Sequence, residues 1–384
     1  MMACVFWASV GAMAYVYVGY PLLLFLVSRV WSRRVAKAPV TPTVTLVIAA
    51  YNEEQAIAGK LDNSLALDYP ADRLDIMVAS DGSTDGTNRL VREYAARHPG
   101  RITLLDLPRA GKTAGQNQAA EVATGEILVF SDATTMYDPG AVRAMVANYA
   151  DPLVGSVGGD VRYVREGEEV TGKGRQMYWN YEASIRRWES RIFTVIGATG
   201  CIYSLRRSLY THLDPAAISD FVQPAKALLQ GYRSVVEDDA TCYEVAESKQ
   251  MGEELRRRAR VVHRGIRGVG YMAEVLNPFR HPFLCFQIVS HRLLRWGIPF
   301  LLIAAFVANA FLLDAPFRQV TFALQLAFYG GALAALVLDR WHIRPRGLFV
   351  PLYFCLVNLA PLIAVWSLLK GEKKIVWETG PQAP

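Results

Sequence analysis

The chain has 384 residues, of which 52% are hydrophobic and 20% charged, and its 41 lysines and arginines exceed its 35 acids to give a net charge of +6. This composition is too apolar for a purely soluble enzyme and fits one sizeable soluble domain with several membrane spans. The small basic surplus suits contact with a lipid bilayer, and no basic stretch interleaved with aromatic residues predicts a nucleic-acid partner. The five cysteines lack metal-site spacing, so neither a zinc site nor a disulfide framework is expected.

The N-terminal region, residues 1–38, is predicted to be a transmembrane helix followed by a basic juxtamembrane segment. Residues 4–30 are apolar and long enough to cross a hydrocarbon core of roughly 30 Å. No basic residue precedes them, unlike the start of a secretory signal peptide. The basic residues at the end of this region are Arg29, Arg33, Arg34 and Lys37. By the positive-inside rule, the next domain is expected in the cytoplasm, on the inner (cytoplasmic) membrane.

The central region, residues 39–268, alternates short β-branched runs with helical patterns. The predicted strands are 44–49, 74–79, 102–107, 127–131 and 155–161. Helical patterns begin near Glu53, Gly86, Lys112 and Pro139. This order predicts an α/β domain with a mostly parallel sheet. Ligands of such open sheets bind beyond the carboxyl ends of the strands, where several of the acids discussed below lie.

The C-terminal region is predicted to return to the membrane. Residues 269–297 alternate aromatic and basic residues and are expected to lie in the headgroup layer. Residues 298–370 contain three apolar runs and are predicted to form transmembrane helices, followed by a tail at 371–384. The last apolar run contains two prolines and an asparagine. It is therefore predicted either to cross fully or to form a broken, re-entrant helix.

Six motifs follow one another through the central region: YNEE, SDGSTDGT, RAGKTAGQN, FSDATT, GATGCIYSLRRSLY and SDFVQP. Over residues 43–267 they resemble the successive motifs of membrane-integrated family 2 glycosyltransferases of the polysaccharide-synthase-like branch. The resemblance implies a GT-A, Rossmann-like domain inserted between N-terminal and C-terminal transmembrane helices. It also implies inverting transfer of a sugar from a nucleotide-sugar to an acceptor hydroxyl, usually with Mg²⁺ or Mn²⁺.

Three residues near the first two strand ends are predicted to bind the donor. Asp81 ends the second predicted strand, where its carboxylate can accept hydrogen bonds from a uracil N–H or from ribose hydroxyls. The alternative is a local role in a turn or helix cap. Glu53, which follows Tyr51 after the first strand, is placed to approach the nucleoside, and otherwise it is a carboxylate at a helix N-terminus.

Lys112 and Asp132 are predicted to meet the diphosphate. Lys112 opens a helix, where a cation and free backbone N–H groups suit a phosphate, although a solvated lysine is the ordinary alternative. Asp132 is the first acid of what the resembled family carries as an Asp-x-Asp pair, and Thr134 replaces the second. Because Mg²⁺ needs only one or two protein carboxylates plus substrate phosphates, Asp132 alone remains a candidate metal ligand.

Asp220 is predicted to be the catalytic base. Inversion requires a base on the face opposite the departing diphosphate, and the resemblance places the last acid of an acid-rich motif at Asp220. A simple helix N-cap is the alternative. Gly197 and Gly200 form a small-residue turn that suits either an acceptor pocket or a structural tight turn.

Arg260 is the retained residue of a Gln-x-x-Arg-Trp box that processive synthases place at this distance, and it is predicted to contact the diphosphate. Arg257 and Val261 stand where that box has glutamine and tryptophan, which puts processive polymerisation in doubt. The resulting prediction is an inverting transferase that uses a UDP-sugar and extends a polysaccharide or glycolipid. The alternatives are single transfer to a polyprenyl phosphate or lipid-linked acceptor, and an inactive membrane scaffold. A dinucleotide oxidoreductase is disfavoured because GxGxxG is absent after the first strand.

Overall fold

The computed structural model describes residues 1–165, 170–246, 251–339, 341, 343 and 345–372. Of the predicted tail, residues 373–384 lie outside this range. Within it, one eight-stranded sheet has the order β3-β2-β1-β4-β7-β6-β8-β5. The strands are β1 (Val44–Ala50), β2 (Leu74–Asp81), β3 (Ile102–Leu107), β4 (Ile127–Asp132), β5 (Met136–Tyr137), β6 (Val154–Arg165), β7 (Ile202–Arg206) and β8 (Arg233–Ala246).

The first four long strands are parallel, which confirms the predicted α/β sheet. All seven residues of β1 are buried, as expected of a parallel strand that is covered on both faces. In the register, Ala50 of β1 pairs with Ser80 of β2, and Ala49 pairs with Asp132 of β4. The carboxyl ends of these strands therefore lie side by side and bring Asp81 and Asp132 to one edge of the sheet.

The strand β7 runs against β4 and contributes to the same edge from the opposite direction. Its first residue, Ile202, pairs with Ser131 at the carboxyl end of β4. Because β7 begins where β4 ends, the turn that precedes Ile202 and contains Gly197 and Gly200 is carried to Asp132. The sequence indicates a β-type run after this turn but does not predict its antiparallel pairing with β4, which makes the sheet mixed.

Helices cover both faces of the sheet. The helices are α1 (Met2–Val30), α2 (Ile57–Leu65), α3 (Thr87–Arg97), α4 (Lys112–Val122), α5 (Ala141–Ala147), α6 (Val170–Ile192), α7 (Ser219–Leu229), α8 (Met251–Tyr271), α9 (Pro282–Ala310), α10 (Pro316–Asp339) and α11 (Arg346–Leu369). On one face, Leu46 and Ile48 share a buried cluster with Leu61 of α2. On the other face, Val47 shares a buried cluster with Ala119 of α4. This alternation is the side-chain period of a strand.

Four helices in the described residues are long and apolar enough to cross a membrane: α1, α9, α10 and the Val350–Leu369 part of α11. The basic and aromatic segment that the sequence assigns to the interface continues, from Pro282, directly into α9. The α11 helix runs through its two internal prolines as one helix. By length, Val350–Leu369 is sufficient for a full crossing.

A buried group of charges joins α6 to the membrane helix α9. The ring nitrogens of His291 lie 2.8 Å from carboxylate oxygens of Glu182 and Glu189. Arg295 donates to Glu182 at 2.5 Å, and Tyr20 of α1 donates to Glu189 at 2.6 Å. Since removal of one partner from a buried charge group leaves the others uncompensated, this cluster fixes the soluble domain against two membrane helices.

Candidate active site

A cleft of about 350 Å³ opens at the carboxyl edge of the parallel strands. Four of the residues that the sequence predicts as donor ligands line it. The lining residues are Ala49, Ala50, Tyr51, Glu53, Ala79, Asp81, Arg109, Lys112 and Gly115.

The carboxylate of Asp81 holds the loop that precedes α4. It accepts hydrogen bonds from the backbone N–H groups of Ala110 at 2.6 Å and Gly111 at 2.9 Å, and from the Arg109 guanidinium at 2.6 Å. Asp81 is only 5% exposed. Its carboxylate therefore fixes the start of α4 and the position of Lys112 in this structure.

Arg109 also lies on the ring of Tyr51, with the guanidinium carbon 3.2 Å from the ring centroid. This cation–π contact and the ion pair with Asp81 place the guanidinium plane inside the cleft. Sequence reasoning missed Arg109, although it lies in the RAGK motif that was used to select Lys112. The signal that points to it is its position three residues before that lysine.

The side-chain nitrogen of Lys112 contacts residues from two other motifs. Its ammonium group donates to the carboxylate of Asp132 and to the carbonyl oxygen of Gly200, the latter at 3.1 Å. Burial lowers the pKa of Lys112, but the carboxylates of Asp132 and Asp220 more than offset this and raise it. Lys112 is therefore a fixed cation at the meeting point of α4, β4 and the turn before β7.

Asp220 lies at the start of α7, on the far side of that turn. An ideal Cβ on Gly200 would lie 2.6 Å from the Asp220 carboxylate, so the glycine is what allows the carboxylate to approach. Burial raises the pKa of Asp220, while the charges of Lys112 and Arg264 lower it. The net result is a raised pKa, which gives a stronger base than an exposed aspartate.

The other predicted acceptor residue, Gly197, has a φ of +85°, a conformation that favours glycine. A Cβ there would lie 2.8 Å from the ring of Phe221. The N–H of Ala198 donates to the carbonyl of Asp220 at 2.7 Å. The turn is thus built tightly onto the first residues of α7. The remaining prediction, Arg260, lies on α8, close enough to lower the pKa of the neighbouring Arg264.

Two further arginines near this turn were not found from the sequence. Arg186 of α6 is 6% exposed and donates to the Thr199 hydroxyl at 2.6 Å, next to Gly200. Arg264 of α8 donates to the carbonyl of Ala217 at 2.9 Å, three residues before Asp220. Both lie on helices rich in arginine, and no local pattern separates them from solvated neighbours. Only the tertiary contacts reveal their positions.

A buried lysine supports the segment that follows Asp132. Lys60 of α2 is fully buried, donates to the carbonyl of Thr135 at 2.6 Å, and lies 4.1 Å from the centroid of the Tyr137 ring. Burial lowers the pKa of Lys60 to about 7. The sequence gives no sign of this, because Lys60 stands in an ordinary amphipathic helix pattern.

We expect Lys60→Met to change how stability depends on pH. The pKa of Lys60 is about 7 when folded and near 10.5 when unfolded, so the unfolded chain binds more protons between these values. The parent therefore gains stability relative to the variant as pH rises, by up to about 2 kcal/mol between pH 7 and pH 9. Thermal unfolding of both proteins across this range measures it. Lys226→Met is the control, and a parent–variant difference that stays constant with pH would contradict the account.

The donor set fits a divalent cation held by one protein carboxylate. Asp132 supplies that carboxylate, and Thr134, in the place of a second acid, is exposed. Among the described residues no group of three or more His, Cys, Asp or Glu side chains is arranged to hold a metal. A cation here would therefore be completed by the phosphates of a bound donor and by water, as Mg²⁺ commonly is.

Residues 45–213 match the family model described as Glycosyl transferase family 2. This part of the chain is a family 2 glycosyltransferase domain with the GT-A fold, as the motif order predicts. The matched range includes the predicted donor and metal residues from Tyr51 to Asp132 and both glycines of the turn. It ends before Asp220 and Arg260.

The chain is 28% identical over 207 residues to the Poly-beta-1,6-N-acetyl-D-glucosamine synthase of Staphylococcus aureus, an alignment that covers 52% of this chain and 49% of that protein. The protein of the same name from Staphylococcus epidermidis is 29% identical over 131 residues, covering 34% of this chain and 31% of that protein. The chain spans about half the length of the curated relatives it matches. These alignments establish homology to a polysaccharide synthase.

A solved structure shares the fold over nearly the whole chain. It is described as the mannosyltransferase PcManGT from Pyrobaculum calidifontis in complex with GDP-Man and Mn²⁺. The TM-score is 0.73 at 24% sequence identity, and the superposition covers 97% of this chain and all of the other. At this identity the likeness shows the fold alone, over the GT-A sheet and the helices that flank it.

Proposed function

We propose that the chain is an inverting glycosyltransferase that moves a sugar from a nucleotide-sugar to a polysaccharide or glycolipid acceptor. The observation that carries this proposal is the position of Lys112, whose ammonium group contacts Asp132 and Gly200 beside Asp220. A cation for the diphosphate, a carboxylate for a metal and a carboxylate base thus lie within one site. These are the groups that sugar transfer from a diphosphate requires.

In this proposal the cleft binds the nucleotide. Tyr51 and Glu53 follow the end of β1 and are proposed to approach the nucleoside. Asp81 contributes by holding the loop that carries Arg109 and Lys112. We propose a UDP-sugar as donor. The name of the staphylococcal relatives refers to a polymer of N-acetylglucosamine, whereas the archaeal neighbour binds GDP-Man, so both uridine and guanosine donors belong in the test.

The metal, Mg²⁺ or Mn²⁺, would be held by Asp132 and would offset the charge of the departing diphosphate. Lys112 already neutralises Asp132 without a metal and remains close enough to contact a phosphate oxygen. The protein's own contribution on this side is thus a cation and a carboxylate held rigidly by β4 and α4. Arg260 is proposed as a further diphosphate contact.

On the opposite side, Asp220 is proposed to accept the proton of the acceptor hydroxyl. Its raised pKa favours proton uptake, and the turn at Gly197 and Gly200 leaves room for an acceptor beside the carboxylate. The small size of Gly200 is therefore a requirement of the mechanism as well as of the fold.

Gly200→Ala is expected to lower turnover by about 100-fold, because the added methyl group displaces the Asp220 carboxylate by an ångström or so. Donor affinity should stay within about threefold, since the cleft lies on the other side of Lys112. Steady-state kinetics and nucleotide binding measure the two effects. Gly140→Ala, where a Cβ meets nothing within 4 Å, is the matched control. Unchanged turnover would show that Asp220 does not act from this position.

Transfer of a single sugar to a polyprenyl phosphate or another lipid-linked acceptor is the second candidate. The observation in its favour is Val261, which occupies the tryptophan position of the processive box and is 50% exposed. An aliphatic side chain there offers no aromatic platform on which a growing polymer can stack.

The site is proposed to face the cytoplasm, at the inner membrane, because basic residues follow α1.

The test is product analysis with purified full-length protein in a lipid environment. Radiolabelled UDP-N-acetylglucosamine, UDP-glucose and GDP-mannose are supplied with Mn²⁺ and native lipid extract. A single lipid-soluble product indicates single transfer, and a ladder of long chains indicates a polymerase. Absence of transfer or donor hydrolysis with every donor would favour the inactive scaffold instead.

A further inference from the structure

Arg264 is joined to the active site through the backbone carbonyl of Ala217, which also accepts a hydrogen bond from Thr113. The carbonyl of Ala217 accepts hydrogen bonds from Arg264 at 2.9 Å and from the Thr113 hydroxyl at 2.8 Å. Thr113 follows Lys112 on α4, and Ala217 lies just before α7. One carbonyl therefore joins α4, α8 and the segment that leads to Asp220.

The backbone of α8 approaches both α7 and α9 closely because two of its residues are glycines. A Cβ on Gly265 would lie 2.8 Å from the ring of Trp296, and one on Gly268 would lie 2.9 Å from the ring of Phe221. Phe221 is the neighbour of Asp220. Arg264 is thus held in place by a close helix contact, which is unlike a solvated arginine on a surface helix.

The guanidinium of Arg264 is incompletely satisfied in the part of the chain that the structure describes. Its Nε atom is buried and has no hydrogen-bond partner there. The cations of the donor side have carboxylate partners, since Arg109 pairs with Asp81 and Lys112 with Asp132. Arg264 does not line the donor cleft and faces the charge of Asp220.

The positive charge of Arg264 is unfavourable for Asp220 if Asp220 acts alone as the catalytic base. The charge of Arg264 lowers the pKa of Asp220 and so weakens the base. When Asp220 takes up the acceptor proton it becomes neutral, and Arg264 loses the negative charge that it faces. An acceptor that brings its own negative charge removes this imbalance.

We propose that Arg264 forms an anion subsite on the acceptor side of Asp220 that binds the phosphate or diphosphate of a lipid-linked sugar whose hydroxyl is the acceptor. This inference rests on the proposed function and selects one acceptor class within it. A guanidinium fork with a free N–H suits phosphate oxygens. A neutral sugar hydroxyl offers no charge to this subsite.

The lipid origin of the phosphate follows from what lies behind α8. Arg258 donates to the hydroxyl of Tyr353 at 2.8 Å, and His263 lies 3.1 Å from the Ser367 hydroxyl. Tyr353 and Ser367 belong to α11, one of the candidate membrane spans. A phosphate at Arg264 therefore sits beside a membrane helix, where its hydrocarbon chain can remain in the bilayer.

The experiment compares three acceptors with the full-length protein in lipid nanodiscs. They are a hexose linked to a short-chain polyprenyl diphosphate, a soluble hexose phosphate and a neutral alkyl glycoside, each with a free sugar hydroxyl. The parent is expected to prefer the polyprenyl-linked hexose. Arg264→Met should raise the KM for this acceptor by about 30-fold, the loss of a charged hydrogen bond, while the donor KM changes little. Arg264→Lys should restore part of the loss.

The pH–rate profile separates a role of Arg264 beside Asp220 from a merely structural effect. Removal of the Arg264 charge raises the pKa of Asp220, so the acid limb of the pH–rate profile should move to higher pH in Arg264→Met. The exposed Arg256 on the same helix is the matched control, and Arg256→Met should change neither KM nor the pH profile.

Four results would overturn the inference in different ways. Equal use of the neutral glycoside by the parent would remove the need for an anion subsite, whether or not the variants fold. Equal losses with all acceptors would make Arg264 structural. Preference for the hexose phosphate would show that the lipid part of the acceptor is not recognised. If the parent turns over no donor at all, even with water as acceptor, the proposed function itself fails.

Discussion

Replacement of Asp220 by asparagine is expected to reduce sugar transfer by about 1,000-fold, because the amide cannot accept the acceptor proton. Asparagine has nearly the same shape as aspartate and leaves the contact with Gly200 in place. Donor affinity should therefore stay within about threefold of the parent. Initial rates with a labelled nucleotide-sugar, together with equilibrium binding of the same nucleotide, measure both quantities.

The pH dependence gives an independent check on this assignment. Asp220 must be ionised to act as a base, so turnover should rise with pH through its raised pKa and then level off. The exposed Asp72 offers a matched control, since Asp72→Asn should leave both rate and profile unchanged. Near-normal turnover of Asp220→Asn, or an acid limb that survives in it, would reject Asp220 as the base.

Asp132→Asn is the second substitution with a large expected effect. It removes the carboxylate that is proposed to hold the metal and that pairs with the ammonium group of Lys112. We expect a 100- to 1,000-fold loss of turnover, about the cost of removing one group that stabilises transition-state charge. The affinity for the nucleotide-sugar should also lose its dependence on Mn²⁺. Kinetic and binding titrations with Mn²⁺ measure these effects.

The neighbouring position supplies the control for Asp132. Thr134→Asp restores an acid at the position where Asp-x-Asp has its second carboxylate, and Thr134 is exposed, so the change fits without repacking. This variant should keep turnover and should saturate at lower Mn²⁺. If Asp132→Asn still responds to Mn²⁺ as the parent does, the metal is held elsewhere. If the parent itself does not respond to Mn²⁺, the metal has no part in the mechanism.

The parallel half of the fold was predictable from the sequence because its signals are local. The run VTLVIAA is β-branched, buried throughout and followed by polar residues, so both its type and its end can be predicted. The same holds for the strands that end at Asp81 and Asp132. Since the carboxyl ends of parallel strands share an edge, the meeting of these residues followed from the fold class.

The antiparallel strands and the arginines were not predictable in this way. The run Ile202–Arg206 is short, and its place beside β4 depends on a pairing over some seventy residues of chain. Arg186, Arg264 and Lys60 look like ordinary helix residues, and only packing decides that Arg186 and Lys60 are buried and Arg264 half-buried beside the site. The candidate membrane spans were easier to predict from the sequence. The start of α9 at Pro282 was not predicted, because charged residues lie near its start.

The direct test of the account is the position of a bound donor. A structure of Asp220→Asn, which should bind the nucleotide-sugar without consuming it, determined with intact donor and Mn²⁺, measures that position. We expect the diphosphate beside Lys112 and Asp132, and residue 220 on the opposite face of the sugar, separated from the anomeric carbon by the space of one acceptor oxygen. A donor bound outside this cleft, or residue 220 on the diphosphate side of the sugar, would contradict the account.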